Sequence, residues 1–254
     1  MQLFKYPIYI PSKGRPDKCL TAKTLSGDGV PFHLVVEPQE AKEYAASYGD
    51  KNVLTLPFSN TGSAVAARNW IKEHATQAGH KRHWQLDDDI RGFYAWTKDS
   101  RKPCTPSYAL PHCEEFVDRY SNVAIAGLKS HLFGSTIKHP FTTNCQAFTC
   151  VLVLNELPYR WRGTHGHDTD FSLQALVGGW CTILFYAFQF EWASVTSGGN
   201  SDVYEGDGRL YRTRELQRRW GKSVVKITRQ NGRPSPNLSG TWNKFKTPLV
   251  KVNP

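Results

Sequence analysis

Strand-length apolar runs alternate with helical patterns through residues 6–90, and turn residues mark each change; few folds accommodate such an order. Tyr6–Ile10 is an apolar run closed by Pro11-Ser12-Lys13-Gly14-Arg15-Pro16, after which Asp17 is placed to cap a helix running to about Ser26. Phe32–Val36 reads as a second strand. Pro38 then suits the first turn of a helix whose Ala41, Tyr44, Ala45 and Tyr48 recur at helical intervals, and Gly49 sits where a helix-ending glycine belongs. Val53–Leu56 reads as a third strand. Ser63–Ala78 reads as a helix through Ala64, Ala67, Ile71 and Ala75, stopped by Gly79, and His83–Leu86 is a strand that ends in Asp87-Asp88-Asp89. This order predicts an α/β domain with parallel strands.

Past residue 90 the order loosens. A helix is expected at Glu114–Ala126, strands near Phe148–Leu154 and Thr182–Phe188, and a helix at Asp168–Val177. There is no internal repeat and no low-complexity linker, so residues 1–200 read as one domain and residues 201–254 as an extension packing on it. An apolar content of 39% with 13% aromatic residues supplies a sizeable core and excludes a disordered or fibrous chain. No apolar run approaches membrane-spanning length, and the first residues carry neither a long apolar stretch nor a small-residue cleavage site, so the expectation is a soluble, cytoplasmic protein without a membrane partner. The cysteines Cys19, Cys104, Cys113, Cys145, Cys150 and Cys181 form no CxxC pair, which favours reduced, buried thiols over a disulfide scaffold or structural zinc.

The net charge of +10 is informative once located. Residues 205–254 hold twelve Lys and Arg against three Asp and Glu, whereas residues 1–204 are nearly balanced, with twenty against nineteen. Arg209, Arg212, Arg214, Arg218, Arg219 and Lys222 lie in this block, interleaved with Tyr211, Trp220, Trp242 and Phe245. Cations neutralise phosphates and flat rings stack on bases, so the block suits a polyanion such as DNA; a solvated basic helix has the same composition.

The acidic strand end carries chemistry. Two carboxylates 4 Å apart repel by roughly 4 kcal/mol at an effective dielectric of about 20, so three in a row call for compensation. A divalent cation provides it, since Mg²⁺ or Mn²⁺ takes oxygen ligands and commonly bridges one or two carboxylates to a diphosphate. In open α/β sheets, ligands sit beyond the carboxyl ends of the strands, where this triplet falls. An acidic surface turn is the other reading of the same letters.

A second motif is His165-Gly166-His167-Asp168-Thr169-Asp170-Phe171. His-x-His beside Asp resembles a hydrolase metal-ligand set, but Thr169 and Asp170 occupy the positions where that set needs Asp and His. The other reading is a helix start whose acids serve as caps, as a catalytic base, or as both.

The stretch Asn60-Thr61-Gly62-Ser63-Ala64-Val65-Ala66-Ala67-Arg68-Asn69, followed one helix and one strand later by Leu86-Asp87-Asp88-Asp89, resembles the loop, helix, strand and D-x-D of GT-A glycosyltransferases, above all the family 2 group. The resemblance implies a GT-A-type Rossmann-like mixed sheet flanked by helices, a catalytic domain over residues 1–200, a UDP-sugar donor, and Mn²⁺ or Mg²⁺. Carried over, Pro11, Ser12 and Arg15 would line the nucleotide site, Glu37 would contact the base, Arg68 and Asp88 the nucleotide-sugar, Asp87 the ribose or metal, and Asp89 the metal. Asp168-Thr169-Asp170-Phe171 is similar to the family's E-D-x-D/E helix start, with His167 in place of Glu; Asp168 is then the expected base and Asp170 the reserve. Thr196–Asp202 is a candidate lid. Ile10-Pro11-Ser12-Lys13-Gly14-Arg15-Pro16-Asp17, with the acid triplet, is also similar to phage glycosyltransferases that decorate 5-hydroxymethylcytosine in DNA, the group associated with TET-type hydroxylases. That implies DNA as acceptor, held by the basic block, with a flipped base that Trp161, Trp192 or Trp242 could support. Two alternatives stand beside it: a glycosyltransferase acting on a glycan or protein, and a non-catalytic nucleic-acid-binding protein on the same frame.

Overall fold

The computed structural model describes residues 4–59, 63–97, 100–132, 139–193, 208–230 and 233–252. The first half follows the expected alternation: β1 (Ile8–Pro11), α1 (Leu20–Gly27), β2 (His33–Val36), α2 (Ala41–Tyr48), a short 3₁₀ turn (Asp50–Asn52), β3 (Val53–Thr55), α3 (Val65–Gln77) and β4 (Arg82–Leu86). Strands β3, β2, β1 and β4 lie side by side in that order, all parallel. Gly49, at φ 84°, closes α2 in the left-handed region that favours glycine. One boundary moves: α1 starts at Leu20, after an extended Cys19, and not at Asp17. Pro16 and the turn that follows it hold residues 16–19 out of the helix.

The second half extends the sheet with antiparallel pairs. It runs β5 (Ile90–Thr97), β6 (Ser100–Cys104), α4 (Pro106–Val117), β7 (Val123–Ser130), β8 (Phe141–Thr143), β9 (Cys150–Leu154), α5 (His167–Val177) and β10 (Cys181–Trp192). The whole sheet reads β3-β2-β1-β4-β9-β7-β10-β5-β6, with β8 paired to β10. It is the mixed, helix-flanked α/β sheet the sequence predicts. The expected helix at Glu114–Ala126 is a correction: the helix is Pro106–Val117, and Val123–Ser130 is a strand with seven of its eight residues buried. A strand covered on both faces shows no alternation, and its small apolar residues pass for a helix.

The core lies on both faces. Trp84 is fully buried between β1 and α4, and its indole N–H is satisfied by Glu114 Oε1 at 2.9 Å. The described cysteines are all unpaired. Among the described residues, no helix is long and apolar enough to cross a membrane.

The basic extension divides. Helix α6 (Gly208–Trp220), the hairpin β11 (Lys226–Gln230) and β12 (Arg233–Asn237), and α7 (Ser239–Lys244) gather around a cluster of Leu173, Leu216, Val225 and Leu238, so α6 rests on α5. The last segment leaves this group: Asn144 and Asn122 donate to the Thr247 and Pro248 carbonyls, and Lys251 bridges to Tyr120.

Candidate active site

The carboxyl ends of β1, β2 and β4 open into one pocket of about 310 Å³, lined by Pro11, Ser12, Arg15, Glu37, Arg68, Asp87, Asp88, Asp89 and Asp168 together with Lys13, His167 and the apolar side chains of Val35, Leu56, Ala64 and Ala67. The fold thus gathers the residues expected for the nucleotide-sugar and the metal, together with Asp168. Each arrives from the end of a strand or the start of a helix, the position at which parallel α/β sheets bind ligands. Asn60, Thr61, Gly62 and the Thr196–Asp202 segment lie outside the described residues.

The three acids have three different surroundings. Asp87 is partly open and meets Arg68 Nη2 at 2.5 Å. Arg68 is itself buried and also donates to Gln85 Oε1 at 3.1 Å, so the sheet fixes the guanidinium against the pocket floor. Asp88 is occupied on both oxygens: Arg15 pairs with one and Ser12 Oγ donates to the other at 2.6 Å. Burial pushes its carboxyl up while Ser12 and Arg15 pull it back. Ser12 and Arg15 are in turn held by the Tyr44 hydroxyl, at 2.7 and 3.0 Å. These contacts make Asp88, Ser12 and Arg15 one buried brace under the pocket.

Asp89 is the uncompensated member. Its Oδ1 is buried without a hydrogen-bond partner among the described residues. Burial first, and then the charges of Asp87 and Asp88, push its carboxyl up to about 7. A carboxylate so placed would be relieved by a cation, and Asp87 supplies a second oxygen donor. Among the described residues no three His, Cys, Asp or Glu side chains form a metal cluster by themselves. The donor set therefore fits a hard divalent ion that completes its shell with water and substrate phosphate oxygens, and does not fit zinc.

Glu37 follows β2, is buried, and pairs with Lys13 Nζ at 3.3 Å and with Gln39 Nε2 at 2.5 Å. Lys13 belongs to the same turn as Ser12 and Arg15, a cation of the pocket to which the sequence reading gives no role.

On the opposite wall, α5 begins at Gly166, whose φ of 66° lets the chain turn sharply into the helix. Asp168 and Asp170 sit two residues apart and so point to different sides. Asp168 lines the pocket with 23% of its side chain exposed, and His167 Nε2 stands 3.6 Å from it. Burial works to raise its carboxyl, but His167, Arg68, Arg212 and a hydrogen bond from Trp161 outweigh that and hold it below the ordinary carboxylate range.

Asp170 faces away from the pocket and is fully buried. Arg162 donates to both its oxygens, at 2.8 and 3.2 Å, and Gln174 Nε2 and Trp220 Nε1 donate at 2.8 and 2.7 Å. A carboxylate so enclosed anchors α6 and has no path to an acceptor hydroxyl. Of the two acids expected at this helix start, Asp168 is the one that lines the pocket.

The basic helix splits in the same way. Arg214, Arg218 and Lys222 are exposed alongside Tyr211. Arg212 and Arg219 are half-buried and turned inward, Arg219 onto Glu215 at 2.9 Å and Arg212 beside the start of α5. Those two depart from the expected DNA-binding set, and the side chain of Arg209 lies outside the described residues. Of the candidate base supports, Trp161 is buried and stacked on Phe171 at 3.9 Å, and Trp242 packs partly buried near Leu216. Trp192 is half-buried beside Phe148 and Phe190, next to Ala193, whose N–H donates to the Asp89 carbonyl at 2.9 Å.

The mixed α/β sheet places acids and a buried arginine at the carboxyl ends of its parallel strands, where sheets of this kind bind ligands. The sequence model of the TET-associated glycosyltransferase family matches residues 6–200, and the chain belongs to that family. It is accordingly a glycosyltransferase. No curated protein matches the sequence. Among solved structures, mannose-1-phosphate geranyltransferase from Thermus thermophilus is similar at 12% identity over 98% of this chain and 69% of its own, with a TM-score of 0.35, a likeness too loose to bear on function.

Proposed function

We propose that the chain transfers a sugar from a UDP-sugar to the hydroxymethyl oxygen of 5-hydroxymethylcytosine in DNA, with Mn²⁺ or Mg²⁺ as cofactor. The observation that carries this reading is the meeting of Asp87, Asp89, Arg68, Glu37 and Asp168 in one pocket, with an Asp89 oxygen that no described residue satisfies. Family membership supports the reaction class.

Asp89 and Asp87 would hold the cation. When bound, it would offset the negative charge that gathers on the departing diphosphate, a gain larger in the transition state than in the ground state. The residues of the chain do the rest. Glu37 can accept from the N–H of a base, with Lys13 holding it in place. The Arg68 guanidinium, fixed by Gln85 and Asp87, presents positive charge to the nucleotide. The brace of Asp88, Arg15 and Ser12 sets the loop against which the nucleoside rests. Asp168 takes the proton of the acceptor hydroxyl as its oxygen attacks the anomeric carbon, a step that needs an ionised carboxylate at neutral pH. Arg214, Arg218 and Lys222 hold DNA phosphates, and the target base leaves the stack to reach the pocket, with Trp192 beside it.

UDP release tests the reading. With Mn²⁺ and a panel of UDP-sugars, release should rise severalfold on adding DNA that contains 5-hydroxymethylcytosine and stay at the background rate with unmodified DNA. Stimulation by a glycan or protein acceptor instead would replace the DNA assignment and leave the donor site intact.

A further inference from the structure

Helix α6 has two charged faces and only the outer one looks to solvent. Tyr211, Arg214 and Arg218 are exposed, as is Lys222 just beyond the helix. The other side carries Arg212, Glu215, Leu216 and Arg219, at the i, i+3, i+4, i+7 spacing of a single face. That face is fastened to the segment that delivers Asp168. Glu215 accepts from the backbone N–H groups of Thr164 and His165, both at 3.1 Å. Leu216 is fully buried in the cluster with Leu173 of α5. Arg219 and Trp220 meet Asp170.

The fit leaves no slack. A Cβ on Gly166 would meet Leu216 Cδ1 at 2.8 Å and Arg212 Cγ at 3.3 Å, and a Cβ on Gly163 would run into the side chains of Glu215 and Arg219. Two glycines in the left-handed region therefore let α6 touch the turn into α5 directly. Arg212 is the inward cation whose Nε is buried with no hydrogen-bond partner among the described residues. His167 of its own helix, Arg68 of α3 and Arg212 of α6 favour the ionised form of Asp168, which shares its pocket with the carboxyl groups of Asp87 and Asp89.

We propose that α6 serves both substrates, its outer cations holding acceptor phosphates while its inner Arg212, packed on the Gly166 turn, is a positioning residue that sets positive charge beside the turn presenting Asp168 without a contact ion pair. The inference rests on the reading of Asp168 as base and of DNA as acceptor, and it adds a coupling: force applied to the outer face of α6 is carried by Glu215, Leu216 and Trp220 to the turn that presents Asp168. Arg212 acts through Asp168 and does not line the donor pocket.

The test is a carboxyl ¹³C titration of the full chain, with the Asp168 resonance assigned by its loss in Asp168→Asn. Arg212→Gln and Arg212→Met are both compared with wild type, the second because methionine keeps an aliphatic stem against Gly166 and Leu216. Each should raise the Asp168 midpoint by about one pH unit, the low end for loss of a neighbouring opposite charge. Arg212→Lys should restore it and Arg214→Gln should leave it unmoved. The acidic limb of the kcat profile on 5-hydroxymethylcytosine DNA should move up with the midpoint in the Arg212→Gln and Arg212→Met chains, while DNA affinity stays at the wild-type value. An unchanged midpoint in either folded variant overturns the inference. Full turnover by Asp168→Asn would instead overturn the base assignment on which it rests, and the titration separates the two failures because it needs no turnover.

Discussion

The Trp220 indole donates to Asp170 Oδ1 at 2.7 Å, which ties the last turn of the basic helix to the first turn of the helix that carries Asp168. Asp170 has no exposed surface, and four side chains hydrogen-bond or pair with it. Removing the acid would leave the Arg162 and Arg219 charges without their shared partner. Asp170→Ala should cost about 3 kcal/mol of stability, the usual scale for breaking a buried pair, and should loosen α6 before the sheet unfolds. Urea unfolding, with Trp220 fluorescence set against far-UV dichroism, measures both.

Asp89 and Asp168 divide the work. Asp89→Ala removes the oxygen that has no partner among the described residues, so donor affinity should lose its dependence on Mn²⁺. Asp168→Asn keeps the shape and loses the base; donor affinity should stay near wild type while turnover falls by about 10²–10⁴-fold, the range for general-base loss. Calorimetric titration with UDP, with and without Mn²⁺, and steady-state kinetics make the comparison. Equal loss of donor affinity in both variants would contradict the division.

The outer face of α6 should govern DNA affinity through charge alone. Arg214→Gln, Arg218→Gln and Lys222→Gln each remove an exposed cation, and the slope of log K against log salt should fall by about 0.9 for every phosphate that is no longer neutralised. Arg219→Gln, turned inward onto Glu215 and Asp170, should leave that slope unchanged and lower stability. Filter binding across a salt series distinguishes them.

His83 sets an acid limit on the fold. Burial pushes its imidazole down to about 3, against which the hydrogen bond with Asn155 is a smaller upward influence. The ring bridges Asn155 Oδ1 at 2.5 Å and Gln85 Nε2 at 2.8 Å, so it is neutral in the native state. Unfolded, the same histidine takes up a proton near pH 6.5. Its contribution to stability is therefore whole above that value and is lost as pH falls from about 6.5 towards 3, with a slope of at most about 1.4 kcal/mol per pH unit. Urea midpoints at pH 7 and pH 5 should differ more for wild type than for His83→Gln.

Much of this is legible in the chain. Between residues 6 and 90 each apolar run ends in a turn signal, so the pattern places the strands, the helices and the acid triplet, while Glu37 and Arg68 are reached only through the resemblance. Past residue 104 two things hide the structure. Pro111 lies inside α4 and Pro106 at its start, which disguises a helix, and Val123–Ser130 is buried on both faces and shows no period-two pattern. Which side chains share a face has a readable signal. Asp168 and Asp170, two apart on a helix, cannot both face one pocket, and the same periodicity puts Arg212 and Arg219 on one side of α6 and Arg214 and Arg218 on the other. Which side faces inward depends on the Asp170 contacts, and those join residues fifty positions apart.

Mass spectrometry of nucleosides addresses the central claim most directly. The chain is incubated with Mn²⁺, a panel of UDP-sugars, and DNA with or without 5-hydroxymethylcytosine, and the DNA is then digested to nucleosides. The account predicts a hexose-sized or N-acetylhexosamine-sized gain on the hydroxymethylated nucleoside with a particular donor, and none on unmodified cytosine. No gain on either DNA, with UDP released from a donor only when a glycan or protein acceptor is supplied, would contradict it.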